Sequence, residues 1–339
     1  MFARRLYICL ALLLFGTCPA RAQELVESAF RIPTKDAGKK GLEAVMVRPS
    51  DSGPHPLAVL THGSPREASD RPGMSPWQMV PQAREFARRG WTTVIVMRRP
   101  SLSFETPEVD LSRIISVGIS AGGFATVALT ADPPPGLVAA ISFAGGRGSR
   151  RPDEVCNLAE LVRAFHEFGE KSRVPMLWVY SENDHFFGPQ IAQGFYQAFT
   201  QAGGKAKFIH AAPYHRDGHG LFSLGGISIW TVMIDDFLKS QNLVLRTTLL
   251  SLLEPPDVSP PAQLNAGGRE EFRTFLTLPP YKAFAVSTEG HLGFAFGRRS
   301  EKDAEKLAKE HCEENTSRSD PCSLVSVDVP SSGKPSGSN

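Results

Sequence analysis

An excess of charge of either sign is missing from this 339-residue chain: 37 Lys and Arg stand against 35 Asp and Glu, leaving a formal net charge of +2. No stripe of basic residues interleaved with aromatics occurs, so nothing draws the surface towards nucleic acid. Cysteine is scarce, five in all, and no Cys/His cluster has zinc-ligand spacing. No metal and no other cofactor is therefore expected. Long apolar runs are also lacking. The most prominent, Leu6 to Phe15, is too short to cross a bilayer.

That run follows Arg4 and Arg5 and precedes Ala20-Arg21-Ala22, the charged, apolar and small-residue zones of a secretory signal peptide. Residues 1–22 are predicted to be such a signal, cleaved after Ala22. The mature chain is then exported, periplasmic or secreted, without stable membrane insertion. Cys9 and Cys18 leave with the signal, and of the three that remain Cys312 and Cys322 are expected to form a disulfide in an oxidising compartment. Cys156 is left as a small buried apolar residue in a helix.

What is present is an alternation of strands and helices. Extended segments over Ala29 to Pro33 and Leu42 to Val47 read as antiparallel lead-in strands, and Pro56 to Thr61 as a first buried strand. The stretch Trp77 to Gly90 puts Val80, Ala83, Phe86 and Ala87 on one helical face. Strands at Trp91 to Met97, Leu137 to Phe143, Val174 to Tyr180 and Ala206 to His210 follow. Between and after them, helices carry Leu158, Leu161, Val162, Phe165 and Phe168, then Ile191, Phe195 and Phe199, then Trp230, Ile234 and Phe237. This rhythm predicts an α/β fold: a mostly parallel sheet covered by helices on both faces, with ligands bound beyond the carboxyl ends of the strands.

Near Asn242 the composition changes. Residues 23–242 are assigned to the α/β domain, 243–268 to a Pro/Gly-rich linker, 269–330 to a small α+β domain and 331–339 to a disordered tail. The small domain is expected to hold a hairpin, Tyr281 to Val286 with His291 to Phe296, a helix from Ser300 to about His311 and a last strand at Leu324 to Val329.

The chemistry gathers around Gly118-Ile119-Ser120-Ala121-Gly122, where an apolar strand stops at a serine between small residues and a helix begins. Such a turn holds a nucleophilic hydroxyl clear of the backbone. A serine nucleophile needs a base, an acid to orient the base, and donors for the oxyanion. Asp184 lies in the loop after the strand ending at Tyr180, and His219 follows the next strand in Asp217-Gly218-His219-Gly220. His215 is the alternative base, while His210 and His185 read as strand and loop-surface residues. The Ala121 and Ser64 amides are the candidate oxyanion donors, Ser64 standing in His62-Gly63-Ser64-Pro65 at the end of the first buried strand.

At these four stretches the chain resembles the α/β-hydrolase superfamily, and within it the exported dienelactone-hydrolase-like or serine esterase branch. The resemblance covers about Glu24 to Asn242 and implies hydrolysis of carboxylic esters through an acyl-enzyme, with Ser120 as nucleophile, His219 relaying the proton and Asp184 holding the imidazole. It also implies a small-molecule ester substrate in a pocket near His62, Phe186 and Phe187. There are two departures. Dienelactone hydrolases proper carry a cysteine nucleophile, which here favours general ester hydrolysis. The helix usual between the fourth and fifth strands is missing or truncated, since only Arg98 to Leu111, with two prolines and no helical face, joins them; either the second unit shields that sheet face or the fold is compromised there. A serine peptidase of prolyl-oligopeptidase type shares the Ser, Asp, His order, but no propeller-sized region precedes the catalytic one. A catalytically inactive hydrolase-like binding protein is the third reading. No activity is carried over to the small domain, whose role stays open between binding to cell wall or a partner and a stabilising appendage, and the sequence leaves oligomeric state open.

Overall fold

The computed structural model describes residues 24–34, 40–97, 107–314, 316 and 319–325. The segment expected to be a signal peptide, residues 1–22, most of the Arg98 to Leu111 crossover and the tail from 331 lie outside the described residues.

An eight-stranded sheet runs in the order β1-β2-β4-β3-β5-β6-β9-β10. Its first members, β1 (Leu25–Ile32) and β2 (Leu42–Pro49), pair antiparallel, and β2 pairs antiparallel with β4 (Thr92–Val96). All later pairs are parallel: β4 with β3 (His55–Thr61), β3 with β5 (Val109–Ile119), then β6 (Leu137–Phe143), β9 (Met176–Ser181) and β10 (Ala206–Ala211). All five residues of β4 are buried, as expected of a strand covered on both faces. The fold class read from sequence, a mostly parallel sheet with helices on both faces and a small separate C-terminal unit, is the one observed.

Each face has its own core. On one, α1 (Val80–Arg88) and α5 (Ile227–Ser240) set Phe86, Trp230 and Phe237 against Val45, Leu60 and Val117. On the other, α2 (Ala121–Leu129), α3 (Leu158–Lys171) and α4 (Pro189–Gln201) bring Val127, Phe165, Phe195 and Phe199 onto Trp178. No helix occurs between β4 and β5 among the described residues. Val59, Val94 and Val96, on the face where one would lie, are nonetheless buried. The second unit is not the shield that the sequence suggested. It packs elsewhere: Arg84 of α1 donates to Thr277 O at 2.8 Å and Arg299 pairs with Glu43 at 2.6 Å, while the core on the face of Val59 and Val94 takes in, among the described residues, none beyond Phe208.

The small unit comprises α6 (Ala266–Leu276), the hairpin β11 (Ala283–Val286) and β12 (Leu292–Ala295), α7 (Glu301–Glu313) and β13 (Ser323–Leu324). Cys312 and Cys322 are disulfide-bonded. Its core of Phe272, Phe275 and Phe284 also takes in Leu264 and Val258, so the end of the proline-rich stretch belongs to this unit. Asn265 caps α6 by accepting the Gly268 N–H at 2.8 Å, which places Gly267-Gly268 in a first helical turn rather than in a linker. The stretch before it lies along the α/β unit, with Leu250 N donating to Arg88 O at 3.1 Å.

Cys156 departs from expectation. It is exposed and precedes the helix, because the chain first forms a short hairpin, β7 (Ser149–Arg151) with β8 (Glu154–Val155), and Asn157 then caps α3. Leu158, in the first turn, is 40% exposed. Among the described residues no helix is long and apolar enough to cross a membrane.

Candidate active site

Ser120 stands between β5 and α2 with φ 56° and ψ −122°, a left-handed conformation that costs a non-glycine residue on the order of 1–3 kcal/mol and persists only where the surroundings impose it. The surroundings do so through close backbone contacts. A Cβ on Gly122 would lie 2.3 Å from Thr61 O, and one on Gly118 2.3 Å from Gly122 O. Only hydrogen side chains let β3, β5 and α2 approach so closely. The Thr61 hydroxyl donates towards Val117 O and Gly122 O, at 3.3 and 3.2 Å, and Ser120 N donates to Phe143 O at 2.9 Å.

The loops after β9 and β10 bring Asp184 and His219 together. His219 Nδ1 lies 3.1 Å from both carboxylate oxygens of Asp184, whose side chain is wholly buried. Asp184 Oδ1 also accepts the Phe186 and Phe187 amides at 2.7 and 2.9 Å. A carboxylate so placed faces Nδ1 and fixes the ring orientation, leaving Nε2 as the nitrogen not engaged by it. The two loops are tied to each other. Asn183 Nδ2 donates to His215 O at 3.0 Å, and Asp217 Oδ1 accepts the His185 and His219 amides at 3.1 and 3.0 Å. Sequence reasoning passed over Asn183 and Asp217, although a side chain that can bond nearby amides beside a motif is the signal that finds them.

Phe186 stacks on the His219 ring, centroids 3.9 Å apart and planes 15° apart. The Arg66 guanidinium lies 3.8 Å over the Phe186 ring and donates to Ser149 Oγ at 3.1 Å. Phe187 is instead buried, beneath Gly146 and beside Phe195. Tyr180 donates to Gly145 O at 2.6 Å; burial, and secondarily the charge of Asp184, push its phenol well above the usual tyrosine range, so it serves as a fixed donor.

Ser120 and His219 open into one cleft of about 840 Å³, to which Gly63, Ser64 and Phe186 also contribute. Gly63 is pressed against Ser120, its missing Cβ 3.0 Å from Ser120 Cβ. Ala121 is the first residue of α2, so its amide is among those a helix leaves without an internal partner. His62 and Phe187, placed in the pocket by sequence reasoning, do not line this cleft; the His62 imidazole turns back onto Gly63 O. Among the other histidines, His215 is exposed against Tyr214, His210 bonds Gln193 and His185 bonds Asp153. The opposite wall was not anticipated, for it comes from the small unit: Arg298, Asp303, Lys306, Leu307 and Glu310.

No protein-family profile matches the chain, and no curated protein matches it either. Solved structures do. Esterase 2 of Thermogutta terrifontis, phosphorylated by paraoxon, aligns with a TM-score of 0.50 at 17% identity over 65% of this chain and 96% of its own. A Klebsiella pneumoniae protein described as a dienelactone hydrolase gives 0.46 at 16% identity over 63% of this chain and 99% of its own. The acylaminoacyl peptidase of Pyrococcus horikoshii gives 0.48 at 17% identity over 68% of this chain and 44% of its own. The sheet order and covering helices, with the alignment at 0.50, give a fold of the α/β-hydrolase type.

Proposed function

We propose that the chain is an exported serine hydrolase that cleaves carboxylic esters. The observation that carries this reading is the arrangement at one end of the parallel sheet: a strained serine at a strand-to-helix turn, and in the same cleft a histidine whose Nδ1 is held by a buried carboxylate. In the mechanism this supports, His219 Nε2 takes the Ser120 proton as the hydroxyl oxygen attacks the ester carbonyl, and the imidazolium is stabilised by Asp184. The Ala121 and Ser64 amides receive the developing oxyanion. The protonated imidazole gives its proton to the departing alcohol, and water, deprotonated by the same imidazole, hydrolyses the acyl-serine. Export is supported by the N-terminal sequence pattern and fits the Cys312–Cys322 disulfide.

Covalent labelling by a fluorophosphonate probe tests the reading. Purified mature protein is expected to label, Ser120→Ala to abolish labelling and lower ester turnover by roughly 10³-fold or more, and His219→Ala to weaken both; labelling that survives Ser120→Ala would falsify the assignment. A panel of nitrophenyl esters against peptide anilides separates ester from peptide hydrolysis.

A further inference from the structure

We propose that α7 and Arg298 of the small C-terminal unit form a substrate-selecting wall of the catalytic cleft, recognising a polar, hydrogen-bonding and uncharged portion of the ester such as a polyhydroxy alcohol; this rests on the esterase reading above. The wall is a built surface. Helix α7 buries Ala304, Ala308 and Cys312 against its own hairpin, and turns a separate stripe, Asp303, Lys306, Leu307 and Glu310, to the cleft that holds Ser120 and His219. These positions fall at i, i+3, i+4 and i+7, one side of a helix. Arg298 enters from the loop after β12. It is half-buried, its guanidinium lies over Gly73 on the far rim, and its Nε finds no hydrogen-bond partner among the described residues.

The chemistry of the wall narrows what it holds. Cations at Arg298 and Lys306 alternate with anions at Asp303 and Glu310, and Asp70 adds a further carboxylate on the facing loop. An alkyl chain laid across them would strip water from four or five charges and return nothing. A ligand of one sign would meet repulsion from half of the groups. A group with both donors and acceptors satisfies cations and anions alike, and Ser64 and Gln78 in the same cleft extend that pattern.

The test compares kcat/KM for glyceryl butyrate with that for butyl butyrate, and repeats the comparison with the polar group on the acyl side. In Lys306→Leu/Glu310→Leu, the polar-over-apolar ratio is expected to fall about fivefold or more in at least one series. The exposed pair these residues form, at 3.6 Å, contributes little to folding. Removing charges from the exposed flank of the same helix away from that stripe, in Glu305→Leu/Lys309→Leu, is expected to leave the ratio within about twofold of wild type. An unchanged ratio in the cleft-facing variant, or an equal fall in both variants, overturns the proposal alone. Failure of the wild-type protein to label with the fluorophosphonate overturns the esterase reading and this proposal with it.

Discussion

The two walls of the cleft are made by different means. The wall bearing Ser120 and His219 is fixed by backbone: glycines that admit no Cβ, a serine in a left-handed conformation, and loops locked by Asn183, Asp184 and Asp217. The wall from α7 is fixed by docking of a small unit, stapled by one disulfide, whose cleft-facing side chains are mostly exposed and charged. Groups that must meet within hydrogen-bond distance sit on a rigid frame. Groups that only select what enters tolerate a softer one.

Gly122→Ala is the sharpest way to break the first wall. Its new methyl would overlap the backbone carbonyls of Thr61 and His62, at 2.3 and 2.7 Å, which have no side-chain freedom with which to yield. Urea denaturation is expected to show a loss of about 3 kcal/mol or more; a loss below about 1 kcal/mol would mean that the elbow is not held by backbone contact.

Cys312→Ser/Cys322→Ser tests the second wall. Opening a crosslink with a sequence separation of 10 is expected to cost about 2–3 kcal/mol by loss of the constraint on the unfolded chain. The loss falls within the small unit. Hydrogen exchange should rise in α7 and β12 while β5 and α2 stay protected, and probe labelling should persist. Equal loss of protection in both regions would show that the two walls unfold as one.

Arg66→Ala removes the cation over Phe186 and the bond to Ser149. An interaction worth about 0.5–1 kcal/mol predicts a two- to fivefold fall in kcat with KM little changed, because Phe186 then holds the imidazole less firmly. In a Phe186→Ala background the same substitution should do nothing more. Additive losses would instead place Arg66 in a role independent of the ring.

The smallest effect is expected at Gly267→Ala, in the first turn of α6, where an added Cβ meets nothing nearer than Asn265 Oδ1 at 3.5 Å. Here alanine should stabilise by about 0.5 kcal/mol. Set beside Gly122→Ala, it separates a glycine kept for space from one that could be replaced.

Much of the first wall could be read from residue order. The Gly118-x-Ser120-x-Gly122 pattern states its own steric requirement, and Asp184 and His219 each follow an apolar strand whose carboxyl end is the expected place for chemistry. Less legible were residues whose role depends on what crosses the cleft. Phe187 and Phe186 are neighbours of the same type, yet one is buried and the other stacks on the His219 ring. Cys156 looked like the start of α3 until the β7–β8 hairpin carried it to the surface. The proline-rich stretch read as a linker because proline and glycine break regular structure; its Leu264 nonetheless belongs to the small unit's core.

By itself, the sequence determined the period of strands and helices, the position of the strained serine and the chain order of its partners, since hydrophobic spacing and glycine placement are local properties. Only the tertiary structure decided that α7 faces Ser120. A helix with alanines on one side and charges on the other satisfies itself in solution as well as in a cleft, so its spacing carries no address; the address comes from Arg84, Arg299 and Leu224, through which the small unit docks on the large one.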